Sequence, residues 1–130
     1  MKIIDQIKNP SSSVSDFINK LMEASIVGHK IHLQAKTKSY AEHMAMGEFY
    51  SAMPDFVDTY IESYQGKYGI VTDYGNFNIK NTDDATTYVT SVVKFVETYR
   101  KSLTDGWLQQ ICDDIIEKCY SVLYKLKNLH

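Results

Sequence analysis

Residues 64–80 read "YQGKYGIVTDYGNFNIK". Gly66, Gly69 and Gly75 fall here, and no apolar residue recurs at the three- and four-residue steps that mark a helix face. The stretch therefore reads as a long connection, placed at residues 65–81. The fold follows from what lies on either side of it.

Upstream, Phe17, Leu21, Ala24, Gly28, Ile31 and Ala35 recur at steps of four and three after "NPSSS", which predicts a helix A over about 14–35. Ser13 is its expected N-cap, with Asp16 in the first turn. "AKTKS" breaks the pattern, and Ser39 with Glu42 forms a capping box that starts helix B. Helix B carries a stripe of His43, Gly47, Tyr50, Pro54, Val57, Ile61 and Tyr64, flanked by Met46, Phe49, Met53, Phe56 and Tyr60. That is more apolar surface than one core needs, so helix B is expected to touch a second chain as well. Pro54 predicts a kink near Ala52 and Met53, because the periodicity continues through it.

Downstream, Asn81 or Thr82 is the expected cap of helix C, whose stripe is Ala85, Val89, Val92, Val96, Tyr99 and Leu103. The β-branched run from Tyr88 to Val93 resembles a strand locally, but its length and spacing favour helix. "TDG" at 104–106 precedes helix D, with Trp107, Leu108, Ile111, Ile115, Val122, Leu126 and Leu129 apolar. Two helical hairpins joined by one long crossover make an all-α, ferritin-like four-helix bundle. The chain reads as one domain over 1–130, with residues 1–12 as an N-terminal extension.

Bulk properties agree. A length of 130 residues supports a single core, and 44% hydrophobic with 23% charged residues describes a folded chain. A net charge of −2 with scattered lysines supplies no basic surface for phosphates, so DNA binding is not expected. No stretch approaches a membrane span, and the opening "MKIIDQIKNPSSS" lacks the apolar centre of a secretory signal, which predicts a cytoplasmic protein. Cys112 and Cys119 sit seven apart on one helix, about 10 Å along its axis, too far to bond each other, and read as core residues. GxSxG, HExxH and phosphate-binding glycine loops do not occur, nor do the Glu-x-x-His pairs of a metal site inside a single bundle.

Three of the four histidines, His29, His32 and His43, cluster around the A–B turn. An antiparallel hairpin places His32 and His43 roughly level on facing helices. Asp58 and Glu62, four apart, share one face of helix B, a spacing at which two carboxylates can reach one metal. His43 and Asp58 stand about 22 Å apart along the helix and cannot meet within one chain. A two-fold axis laying helix B against its copy reverses the order and brings Asp58 and Glu62 of one subunit to His32 and His43 of the other. Taken singly, each of these residues reads as an ordinary helix position; the joint spacing is what points to metal.

The order His32, His43, Asp58, Glu62 resembles the intersubunit ferroxidase motif of the Dps proteins, the mini-ferritins, and "AEHMAMGEFYSAMPDFVDTYIESYQG" looks like their helix B. The similarity covers residues 29–69. The same stretch also resembles short uncharacterised proteins of tailed phages. The Dps resemblance implies Fe(II) bound between subunits and oxidised by peroxide or oxygen, with zinc or manganese as substitutes for iron. It further implies storage of the product in a homo-oligomer, at least a dimer through helix B and up to a dodecamer. Departures are visible: Leu33 stands where the family has tryptophan, the A–B turn is one residue shorter, Gly47 replaces a carboxylate, Ser63 replaces an arginine, and a basic N-terminal arm is missing. They leave a competing reading, a ferritin-like oligomerisation or partner-binding protein without iron chemistry.

Overall fold

The computed structural model describes residues 10–35, 39–79 and 81–130, with side chains from Val14 onward. Among them the chain is all-helical, with α1 at Pro10–Gln34, α2 at Tyr40–Tyr68, α3 at Ala85–Arg100 and α4 at Gly106–Asn128. No helix among the described residues is long and apolar enough to cross a membrane.

The predicted stripe of α1 holds throughout: Phe17, Leu21, Ala24, Gly28, Ile31 and Ala35 are all buried. The helix starts at Pro10, a turn before Ser13, at a position where the missing proline N–H has no intrahelical partner to lose. The expected cap therefore gives way to an earlier start, and the Ser13 side chain lies outside the described residues. On α2 the assignment of faces is corrected. The core takes Met46, Phe49, Met53 and Tyr60 of the flanking set together with Val57 and Tyr64 of the stripe, while His43, Gly47, Tyr50, Ile61 and the flanking Phe56 are half-buried and Pro54 is exposed.

Ser39 caps α2 as expected, its hydroxyl accepting the Glu42 N–H at 2.9 Å. Pro54 sits inside α2 without ending it. Proline removes the N–H that would bind the Tyr50 carbonyl, and Ser25 of α1 donates its hydroxyl to that oxygen at 3.2 Å.

The helix boundaries of the connection also differ from expectation. Helix α2 runs a turn further, to Tyr68, where Gly69 at φ 98° closes it with an N–H to the Gln65 carbonyl. Asp84, not Asn81 or Thr82, caps α3 by accepting the Thr87 N–H at 3.0 Å, while Thr82 supports the Asp84 N–H. On α4, Leu108, Ile115, Val122 and the two cysteines, Cys112 and Cys119, are buried as predicted, but Trp107 and the following Leu129 are exposed and Leu123 joins the core. Both thiols are free.

Helix α1 packs on α2 and α3, and α4 packs on α3 and α2. Phe49 meets Tyr88 in the first halves of α2 and α3, and the hydroxyls of Tyr60 and Tyr99 in their second halves lie 2.8 Å apart, so these two helices run in the same direction. The connection must then travel the length of the bundle. It is tied to α1 on the way: Ser15 donates to the Asp73 carbonyl at 2.7 Å, the Asn19 amide to the Tyr74 carbonyl, and Val71 is buried. At the ends, Arg100 grips Asp113 through two nitrogens, Lys67 meets Asp105 and Lys125 meets Glu48.

Candidate functional site

His32 lies in the last turn of α1 and His43 in the first turn of α2, and the packing of the two helices brings them together. Their rings stack at 3.8 Å between centroids with planes 20° apart. Each ring is also fixed by the other residue's backbone. His32 Nδ1 lies 2.6 Å from the His43 carbonyl oxygen, and His43 Nδ1 lies 3.0 Å from the His32 carbonyl oxygen.

That reciprocal pairing decides the tautomer. A carbonyl oxygen only accepts, so both Nδ1 atoms carry hydrogen, and in the neutral rings both Nε2 atoms hold a bare lone pair. A metal-binding imidazole is commonly held in this way, with one nitrogen anchored to a carbonyl and the other left to the ion. The lone pairs lie in the ring planes, which run side by side, so the two nitrogens do not converge on a point between the rings.

Gly47 makes the stack possible. A Cβ at this position would lie 3.2 Å from both Cε1 and Nδ1 of His32. The glycine that reads in the sequence as a missing carboxylate is, in the fold, the floor on which the His32 ring rests. His29 is exposed and stacks on Tyr50 of α2, centroids 4.1 Å apart and planes 5° apart. Tyr50 thus belongs to this cluster, a role its place in the stripe did not distinguish from packing.

Asp58 and Glu62 are both exposed on α2, well beyond reach of the histidines in the same chain. Among the described residues no group of three or more His, Cys, Asp or Glu side chains is placed to hold a metal ion within one chain. Asp58 edges an apolar groove between the two helices, built by Met22, Ser25, Ile26, Pro54, Val57 and Phe77. Along the α1–α2 seam the order is therefore Asp58 and the groove at one end, the His29–Tyr50 stack in the middle, and the His32–His43 pair at the other. Exposed apolar side chains continue at the histidine end with Leu33, Tyr40 and Met44.

Comparison with known proteins places the chain without assigning it an activity. A family model described as a family of unknown function (DUF5856) matches residues 32–126, from His32 to near the end of α4. A protein of Enterobacteria phage T4, described as an uncharacterized 14.6 kDa protein in the mobD-ri intergenic region, is 36% identical over 58 residues. The match spans 45% of this chain and 44% of the phage protein, less than half of either. No solved structure matches.

Proposed function

The chain belongs to DUF5856, a family of unknown function, and from that premise and the geometry of the α1–α2 seam we propose that it is a ferritin-like, self-associating helical protein that binds iron between subunits. His32 and His43 of one subunit and Asp58 and Glu62 of another are the ligands in this reading, and because the stacked rings direct their lone pairs side by side, a single ion between them requires one ring to turn. Fe(II) is then the substrate, with oxidation by peroxide or oxygen the reaction implied by the Dps resemblance.

The observation that carries it is the anchoring of both Nδ1–H groups on carbonyls, which leaves two Nε2 lone pairs with no role in holding the fold. The seam supplies the rest. Tyr50 and Ser51 lie midway between His43 and Asp58 on α2, so a two-fold axis through that level exchanges the two positions. Such a pairing covers the exposed Met22, Ile26 and Met44 and sets carboxylates opposite imidazoles, a donor set that suits iron, zinc or manganese. Two parallel helices, α2 and α3, joined by a single crossover are what a ferritin-like bundle requires, which supports this reading.

A second reading is favoured by one observation. The His32 ring lies over Gly47, where an added Cβ would press on it at 3.2 Å, so a carboxylate at the position where the Dps pattern has one would have to displace the ring. With fewer oxygen ligands the same assembly serves as a non-catalytic oligomerisation or partner-binding module, the histidine stack closing the α1–α2 turn.

Light scattering on the purified chain, followed by Fe(II) oxidation under peroxide and then air, separates these. An oligomer with fast, saturable oxidation that is lost in Asp58→Ala/Glu62→Ala is the expected result for the iron reading. Equal slow rates in both proteins would support the binding module, and a monomer at all concentrations would overturn the shared iron site and leave only the partner-binding form of the second reading.

A further inference from the structure

A cavity of about 370 Å³ opens at the other end of the bundle from the histidines, between the end of α2, the α3–α4 turn and the first turns of α1. Its walls include Tyr64, Tyr68, Tyr99, Leu103 and Leu108, with Asp105 at the edge. The volume lies in the range of small-molecule sites, roughly 300–1,000 Å³, and is far more than a bare ion takes.

Two features of the lining favour a cation. Tyrosine ring faces are electron-rich and attract cations. The helix ends add little, because the negative end of α3 after Arg100 and the positive end of α4 at Gly106 meet here and offset each other. Asp105 adds a carboxylate whose side chain is only 14% exposed. Its two oxygens accept one hydrogen bond each, Oδ1 from Lys67 at 2.7 Å and Oδ2 from the Tyr68 hydroxyl, and each oxygen keeps a second lone-pair direction. Those two bonds also hold the Asp105 carboxyl below its usual pKa range, so it remains an acceptor in mildly acidic solution.

The chain already contains an example of the recognition involved. The Lys67 ammonium sits 5.1 Å from the Tyr68 ring centroid and 6.0 Å from that of Trp107 while it binds Asp105.

We propose that this cavity binds a small organic ammonium compound, its carbon body against Tyr64, Tyr99 and Leu103 and its ammonium group on the unused lone pairs of Asp105. This site is separate from the α1–α2 seam and stands whether or not iron binds there.

Trp107, the chain's one tryptophan, provides the signal. The full-length protein is titrated with 2-phenylethylammonium and, in parallel, with the neutral 2-phenylethanol, following Trp107 fluorescence. Saturable binding of the ammonium, about tenfold tighter than of the alcohol, is expected from one charge-assisted hydrogen bond. Asp105→Asn keeps a residue type favoured at a helix start and should erase the difference between the two probes. Lys67→Ala removes the competing ammonium and should tighten the cationic probe several-fold while leaving the alcohol unchanged. Equal affinities for both probes in the unmodified chain, or no saturable change with either up to about 10 mM, would overturn the assignment.

Discussion

Replacing Gly28 by alanine should destabilise the protein, although alanine is the better helix former. A Cβ at Gly28 would lie 2.8 Å from Phe49 Cδ2, 3.1 Å from Phe49 Cε2 and 3.1 Å from Tyr50 Cβ. Favourable carbon contacts begin near 3.5 Å, so one helix must retreat by more than half an ångström. The Phe49 ring has nowhere to yield, being fully buried and set edge-on to Tyr88. Overpacking of this kind costs about 1–3 kcal/mol, and the helix-propensity gain of alanine returns about 1 kcal/mol. The net expectation is a loss near 1 kcal/mol. For a chain of 130 residues the unfolding entropy of about 2.1 cal/mol/K per residue converts this to a fall in Tm of roughly 4 °C. Gly66→Ala is the control, because nothing lies within 4 Å of its added carbon and it sits in the same class of structure. That variant should gain about 0.5–1 kcal/mol and melt about 2–4 °C higher. Thermal unfolding followed by circular dichroism on the three proteins is the assay. Gly28→Ala melting at or above the unmodified chain would refute the close approach of α1 and α2 at this level.

Other expectations follow from the same geometry. Ser25→Ala should cost about 1 kcal/mol in denaturant unfolding, and that cost should shrink in a Pro54→Ala background, where residue 54 regains an N–H for the Tyr50 carbonyl. Burial pushes the Cys112 and Cys119 thiols up to about 12 from an ordinary 9.0. The folded state then keeps protons that the unfolded chain sheds, so this contribution to stability is intact below about pH 9 and is lost as pH rises towards 12, which Tm measured against pH would reveal. At pH 8 iodoacetamide should label neither thiol until the chain unfolds, and labelling of the native protein would contradict their burial. Gly47→Leu should expel the His32 ring from its stack, visible as loss of the carbonyl-bound Nδ1–H signature in imidazole nitrogen NMR, with helicity retained.

Much of this architecture is legible in the residues. The α1 stripe is legible because its apolar residues recur without a gap from Phe17 to Ala35, whereas Met22, Ile26 and Leu33 stand apart from it, and the crossover announces itself through glycines and lost periodicity. Helix α2 was harder: with Met46, Phe49 and Met53 on one side and Tyr50, Pro54 and Ile61 beside them, periodicity alone does not say which side faces α4. Cap assignment around residues 81–84 failed for a similar reason, since Asn81, Thr82 and Asp84 are chemically equivalent candidates and the choice depends on where the connection is pinned. At the histidine end, the spacing placed His32 level with His43. The reciprocal carbonyl bonds, the floor provided by Gly47 and the pairing of His29 with Tyr50 depend on rotamers and on the distance between helices, which no local pattern encodes.

The long crossover imposes a timetable on synthesis. Helices α1 and α2 emerge first and can pair at once, but Phe49 and Tyr60 meet Tyr88 and Tyr99 only after the connection and α3 have followed. At about 5–20 residues per second, the remaining chain takes several seconds to appear. During that interval the nascent hairpin displays its apolar inner face and its outer seam together, and two neighbouring nascent chains could join through the wrong one. The ties from Ser15 and Asn19 to the crossover would shorten the exposure if they form early, since they involve only α1 and the connection and hold that connection on the side where α3 packs.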